Sequence, residues 1–169
     1  RQALSIVMNE GRPVMVRVMP GVYQAGVELP DQVALVNHRL PAEGTVDQRL
    51  AWLEEQRQID HPDRVTFPAP GEGDGAVRLL RGQKQGIFGC YFMGRQGLGQ
   101  RALELRSCGA TAIIHCGFEA FSKGAVVVAD SGEDLPGLRV QFLGCHWRGN
   151  SSSGRGGALA IKKSVVTVE

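Results

Sequence analysis

The sequence predicts an all-β solenoid of stacked coils, on three observations. Four short segments that begin with alanine, AVRLL at Ala76, ALELR at Ala102, AVVVA at Ala125 and ALAIK at Ala158, recur at offsets of 26, 23 and 33 residues. Between them a second element recurs, a cysteine followed two positions later by an aromatic: Cys90 and Phe92, Cys116 and Phe118, Cys145 and Trp147. Within each alanine segment the apolar residues alternate, which puts Val77 and Leu79, Leu103 and Leu105, Val126 and Val128, and Leu159 and Ile161 on one face. A repeat this short cannot bury its own apolar face, so each unit must add a layer to a stack.

The elements follow in chain order. Ala3, Leu4, Val7 and Met8 share one helical face and stop at Gly11, which predicts a short capping helix over residues 1–10. Three strands come next: Val14 to Val18, then Val22 to Leu29 after Pro20-Gly21, then Val33 to Val36 after Pro30-Asp31. Residues 41–62 break this pattern. Thr45 and Gln48 are spaced for a capping box, and Val46, Leu50 and Leu53, with Trp52 and Ile59, supply a helical stripe that ends near His61-Pro62. A helical insertion of about three turns is expected there. The Pro/Gly-rich joint FPAPGEGDG leads back to the repeated coils, 75–169. One domain covers residues 1–169. Its last strand, SVVTVE, opens a further coil and stops, which predicts a fragment of a longer protein.

Composition narrows the function classes. The chain has 169 residues, 43% of them hydrophobic, enough for one buried core. A net charge of +2, from 19 basic and 17 acidic residues without clustering, argues against a nucleic-acid partner. No apolar run approaches the roughly 20 residues of a membrane span. The four cysteines lack CxxC spacing and sit among apolar neighbours, so they read as small core residues and mildly favour a reducing, cytoplasmic compartment.

Two stretches carry a family resemblance. VRVMPGVYQAGVELPDQVALV is similar to an opening coil, and RVQFLGCHWRGNSSSGRGGALAIKKSVVTVE to a coil repeat, of right-handed parallel β-helix proteins, the pectate-lyase-like superfold. The resemblance implies six or seven right-handed coils. It is closer to the non-enzymatic, adhesin-like branches than to the enzymes, since the Asn-Thr-Asp, Gly-His-Gly and Arg-Ile-Lys signatures of polygalacturonase-like enzymes do not occur. Fold alone does not choose between these activities.

Each tempting residue has a plainer reading beside it. Asp130, Glu133 and Asp134 could converge on a hard cation, but DSGEDLPG is built of turn formers and a solvated turn is preferred. Arg78 and Glu104 hold the same outward place on adjacent coils, where an ion pair supporting the stack is expected. Further along that column Val127 and Ala160 turn apolar, and the helix through Leu50, Trp52 and Leu53 is the expected cover. His115 beside Cys116, and Cys145 beside His146, suggest nucleophile-and-base or metal pairs, yet neighbours on a strand point to opposite sides. His38 with Arg39 and Asp60 with His61 lack a third partner. Ser151 to Ser153 lack the context of a phosphate loop. Arg148, Arg155, Lys162 and Lys163 read as solvated surface that an acidic partner could meet.

Two functions follow. The preferred one is a non-catalytic scaffold or interaction module that presents stacked-strand surfaces to a protein or glycan partner, with Trp52, Leu53, Val127, Arg148 and Arg155 as binding residues and no cofactor. The alternative is a carbohydrate-active enzyme, a lyase or esterase-like protein acting on acidic polysaccharide. Only Arg78, Glu104, Arg106 and Asp130 can be assembled for it, with Ca²⁺ as the cofactor of a lyase.

Overall fold

The computed structural model describes residues 12–23, 26–58, 61–68, 75–95, 101–133, 138–154 and 156–169. The expected capping helix over 1–10, together with Ile59, Asp60, Asp134 and Arg155, lies outside the described residues.

Among the described residues sixteen strands and one helix make a β-helix-like solenoid. Every third strand belongs to the same sheet. β1 (Val14–Val18), β4 (Val33–Asn37), β7 (Gln85–Phe88), β10 (Thr111–Ile114), β13 (Val140–Leu143) and β16 (Val166–Val168) form the first sheet in that order. The second holds β2 (Gly21–Val22), β5 (Val65–Pro68), β8 (Tyr91–Met93), β11 (Gly117–Glu119) and β14 (His146–Arg148). The third holds β3 (Val27–Leu29), β6 (Val77–Leu80), β9 (Leu103–Arg106), β12 (Val126–Ala129) and β15 (Leu159–Lys162). All thirteen pairings are parallel. The described residues therefore contain five three-strand coils and the first strand of a sixth.

The repeat read from the sequence is the register of the sheets. Val77, Leu103, Val126 and Leu159 are successive partners in the third sheet, so the four alanine segments do stack. The cysteine and aromatic positions stack on the inner side of the second sheet. Tyr23, Phe67, Phe92, Phe118 and Trp147 form one ring column with centroid spacings of 5.6, 5.5, 5.2 and 4.5 Å. The spacing follows from the strand separation of about 4.8 Å, which places like side chains directly over one another. Cys116 Sγ points to the Ile87 carbonyl one coil away, and Cys145 Sγ to that of Ile113.

The corners repeat as well. Arg81, Ser107, Asp130 and Lys163, which follow β6, β9, β12 and β15 of the third sheet, all take a left-handed backbone with φ of 54, 53, 50 and 47°. A single left-handed residue lets the chain turn sharply from one sheet to the next, at a modest cost for a side chain that is not glycine. The same need corrects the strand expected over Val22 to Leu29. It is two strands in two sheets, β2 and β3, with Gly26 (φ 85°) leading into the second.

The helix α1 (Val46–Glu55) lies between β4 and β5. Its N-terminus is set by the capping box: the Gln48 backbone N–H donates to Thr45 Oγ1 and the Thr45 N–H to Gln48 Oε1, 3.3 and 2.9 Å. The neck of the excursion is stapled by Asn37, whose Nδ2 donates to the carbonyls of Asp63 and Gly89, and by the Arg39–Asp63 ion pair.

Candidate functional site

The excursion leaves the second coil but does not stay beside it. Leu40 packs by Gly89 in the third coil, and Leu50 reaches the fifth, with Cδ2 3.5 Å from where a Cβ of Gly144 would stand. Glu54 Oε2 then meets His146 Nδ1 of the fifth coil at 3.2 Å. On the way back the Arg57 and Gln58 carbonyls accept from Arg64 Nη1, whose guanidinium sits 4.2 Å over the Tyr91 ring. α1 thus covers the corner between the first and second sheets. This corrects the expectation that it covers Val127 and Ala160, because its contacts lie with His115, Gly144 and His146 on another face of the solenoid. Leu53 is buried and Trp52 half-buried, so α1 spends its apolar stripe on its own docking.

Two clefts flank His146 beneath α1. The first, about 570 Å³, is lined by Glu54, Arg57, Tyr91, His146 and Arg148, with Trp147 at its inner edge. The second, about 600 Å³, is apolar, walled by Val46, Leu50, Ile114 and Leu143 with Arg49 and His115 among them. Pockets of this size with a few convergent polar groups suit small ligands or single side chains of a partner.

Alternation on the strand explains the polar cleft. With Phe92, Phe118 and Trp147 turned inward, the residues before them, Tyr91, Gly117 and His146, form an outward column. Gly117 is required there, since a Cβ would come within 2.3 Å of the Tyr91 ring. The Tyr91 hydroxyl donates to Glu119 Oε2 at 2.9 Å, and burial together with that bond pushes the phenol up. Glu54 also pairs with Arg57. Burial, reinforced by Arg57, holds the His146 imidazole below its ordinary value. At neutral pH the ring is therefore uncharged, donates from Nδ1 to Glu54, and keeps Nε2 as an acceptor.

His115 occupies the corner between β10 and the second sheet in a left-handed conformation, φ 50°, at the place held by Gly89 and Gly144 on the coils to either side. Burial is the main cause that lowers its pKa and Arg49 adds to it, against an opposing pull from the Gly144 backbone. The cysteines are the contrast. Burial pushes Cys90 and Cys145 up to about 12, which leaves them as thiols with no nucleophilic role.

Most of the residues selected from sequence fall elsewhere. Arg78 and Glu104 are register partners on the third sheet, as expected, but Arg78 Nη2 reaches Glu28 at 3.4 Å and Glu104 pairs with Arg106 at 2.5 Å. Asp130 is an exposed corner residue, and Val127 is half-buried in the same outward column as Glu104. Arg148 is exposed and lines the polar cleft. The structure brings together a different titratable group, Glu54, Arg57, Tyr91 and His146, which the sequence did not single out as a set. The signal for two of these was present in the sequence: if the cysteine and aromatic face inward, the residue between them faces out.

No protein-family model, curated protein or solved structure matches the chain. Among the described residues no helix is long and apolar enough to cross a membrane, and no group of three or more His, Cys, Asp or Glu could hold a metal ion.

Proposed function

We propose that the chain is a non-catalytic interaction module, a right-handed β-helix of the pectate-lyase-like kind that offers its stacked strands to a protein or glycan partner. One observation carries this reading. On the outer face of the third sheet the charged residues are matched in pairs, Glu28 with Arg78 and Glu104 with Arg106, while the next rungs of the same column, Val127 and Ala160, are apolar and lie away from α1. Charges paired in this way brace the ladder of neighbouring coils. An apolar step beside a polar one suits a partner's recognition.

The test places a photo-crosslinking side chain at Val127, with another at Val22 on a different sheet as control. A discrete product at position 127 is expected, competed by the unlabelled chain and not by its Val127→Asp variant. Cleavage of polygalacturonate, with or without Ca²⁺, that disappears in Glu104→Gln would overturn the reading in favour of the enzyme.

A further inference from the structure

We propose that the apolar cleft under α1 binds a small carboxylic acid with an apolar body, the body lying among Val46, Leu50, Ile114 and Leu143 and the carboxylate meeting Arg49 and His115. This site is independent of the third-sheet surface. Three observations converge on it.

The first is the buried nitrogens. His115 is only 4% exposed, lines the cleft, and has no hydrogen-bond partner at Nδ1. Arg49 donates from Nη2 to the Ala42 carbonyl at 3.0 Å, but its Nε is buried and unpartnered. Buried nitrogens without partners are rare, because they lose water and gain nothing in return. An arginine has only donors, so an oxygen acceptor is the complement it needs.

The second is space. A Cβ on Gly144 would stand 2.6 Å from His115 Nδ1 and 3.5 Å from Leu50 Cδ2. The missing side chain lets the His115 ring and Leu50 crowd against the backbone here, which brings a polar nitrogen beside an apolar wall, the two surfaces an apolar acid would need together. Gly144 has φ 56°, which also favours glycine at this corner.

The third is charge. Burial is the main cause that lowers the His115 pKa and Arg49 adds to it, so the guanidinium puts a positive charge beside the ring that one carboxylate would relieve. Glu169 lines the mouth and Glu54 stands beside His146, so a polyanion would meet repulsion. A singly charged acid is the match.

The experiment titrates the full chain with octanoate and, separately, with octanol, following the His115 ring and Leu50 methyl signals by NMR. Octanoate is expected to saturate, to shift both sets of signals, and to raise the pKa of His115, so its affinity increases as pH falls. Arg49→Gln, a change at the helix surface that leaves the core intact, should weaken octanoate by about 10-fold or more, the scale of one lost charge-assisted hydrogen bond, and leave octanol unchanged. His115→Asn should act in the same direction, and so should Gly144→Ala, whose Cβ would push the His115 ring out of place. Octanol binding as tightly as octanoate, an unchanged affinity in Arg49→Gln, or no saturation at His115 up to roughly 10 mM would each overturn the proposal.

Discussion

Two columns of side chains run along the same three strands, β8, β11 and β14, one on each face. Inward, Phe92, Phe118 and Trp147 stack with small angles between rings, 8° and 20°, and the cysteines beside them are pushed out of reach of ionisation. Outward, Tyr91, Gly117 and His146 share a register but not a chemistry: a phenol bound to Glu119, an empty place, and an imidazole bound to Glu54. The inner column repeats because each coil must present the same shape to the next. The outer column is free to vary, and α1, the one non-repeating element among the described residues, closes over it. Regularity holds the solenoid together, and the departure from it creates the clefts. α1 also breaks the nearest-neighbour logic of a solenoid, since it is rooted in the second coil and docks on the fifth.

The largest effect that tests this contrast is inside. Phe92 is fully buried between Phe67 and Phe118, at 5.5 and 5.2 Å. Phe92→Ala should cost about 3–5 kcal/mol of stability by urea unfolding, the usual range for a buried aromatic. Because the coils above and below share the column, the loss should appear as one cooperative shift of the whole transition. A separate early transition confined to the third coil would show that the ring column does not couple the coils.

Next comes the strap. Leu53 is fully buried on α1. Leu53→Ala should cost about 2 kcal/mol, the low end for a buried leucine, because a helix on the rim can settle into the space. Hydrogen exchange should then show amides of α1 and of Gly144 and His146 losing protection while β8 and β11 keep theirs. Equal loss in all coils would mean that α1 is part of the core instead of a clamp on it.

The two regions also differ in how far the sequence discloses them, for the same reason. A coil must repeat its residues at the same place, so Ala76, Ala102, Ala125 and Ala158, and the three cysteine-aromatic pairs, reveal register before any coordinates. The helix was legible in its own start, since Thr45 and Gln48 make the capping box that their spacing suggests. Its destination was not. An apolar stripe through Leu50 and Leu53 requires some surface to cover, but several faces of the stack offer one, and only the path through Leu40 and back through Arg64 selects the corner by Gly144. His146 was legible as the neighbour that points away from Cys145, but its partner Glu54 was not, because that contact depends on where α1 docks.

A smaller effect separates helix formation from helix docking. Thr45→Ala removes the side-chain half of the capping box and should cost about 1 kcal/mol. The loss should be the same in a His146→Gln background, because the cap and the Glu54 contact lie at opposite ends of α1 and share no partner. Non-additivity measured in that double-mutant cycle would show that cap and latch act as one unit.

The smallest effect is in the pH dependence of the corner, and its sign is fixed by the two histidines under α1. His115 and His146 both have pKa values held below the ordinary value of 6.5, chiefly by burial. The folded chain therefore binds protons less readily than the unfolded one, so the stability these rings contribute is fully present above about pH 6.5 and is lost as pH falls below it. Each ring adds at most about 1.4 kcal/mol per pH unit to that slope, and the partial exposure of His146 keeps its share smaller. Urea unfolding between pH 7 and 5 should show this decline, and His146→Gln should remove part of it without changing the response to Phe92→Ala. A stability that rises as pH falls over the same range would mean that Glu54 outweighs burial and Arg57, and that His146 is charged in the folded chain.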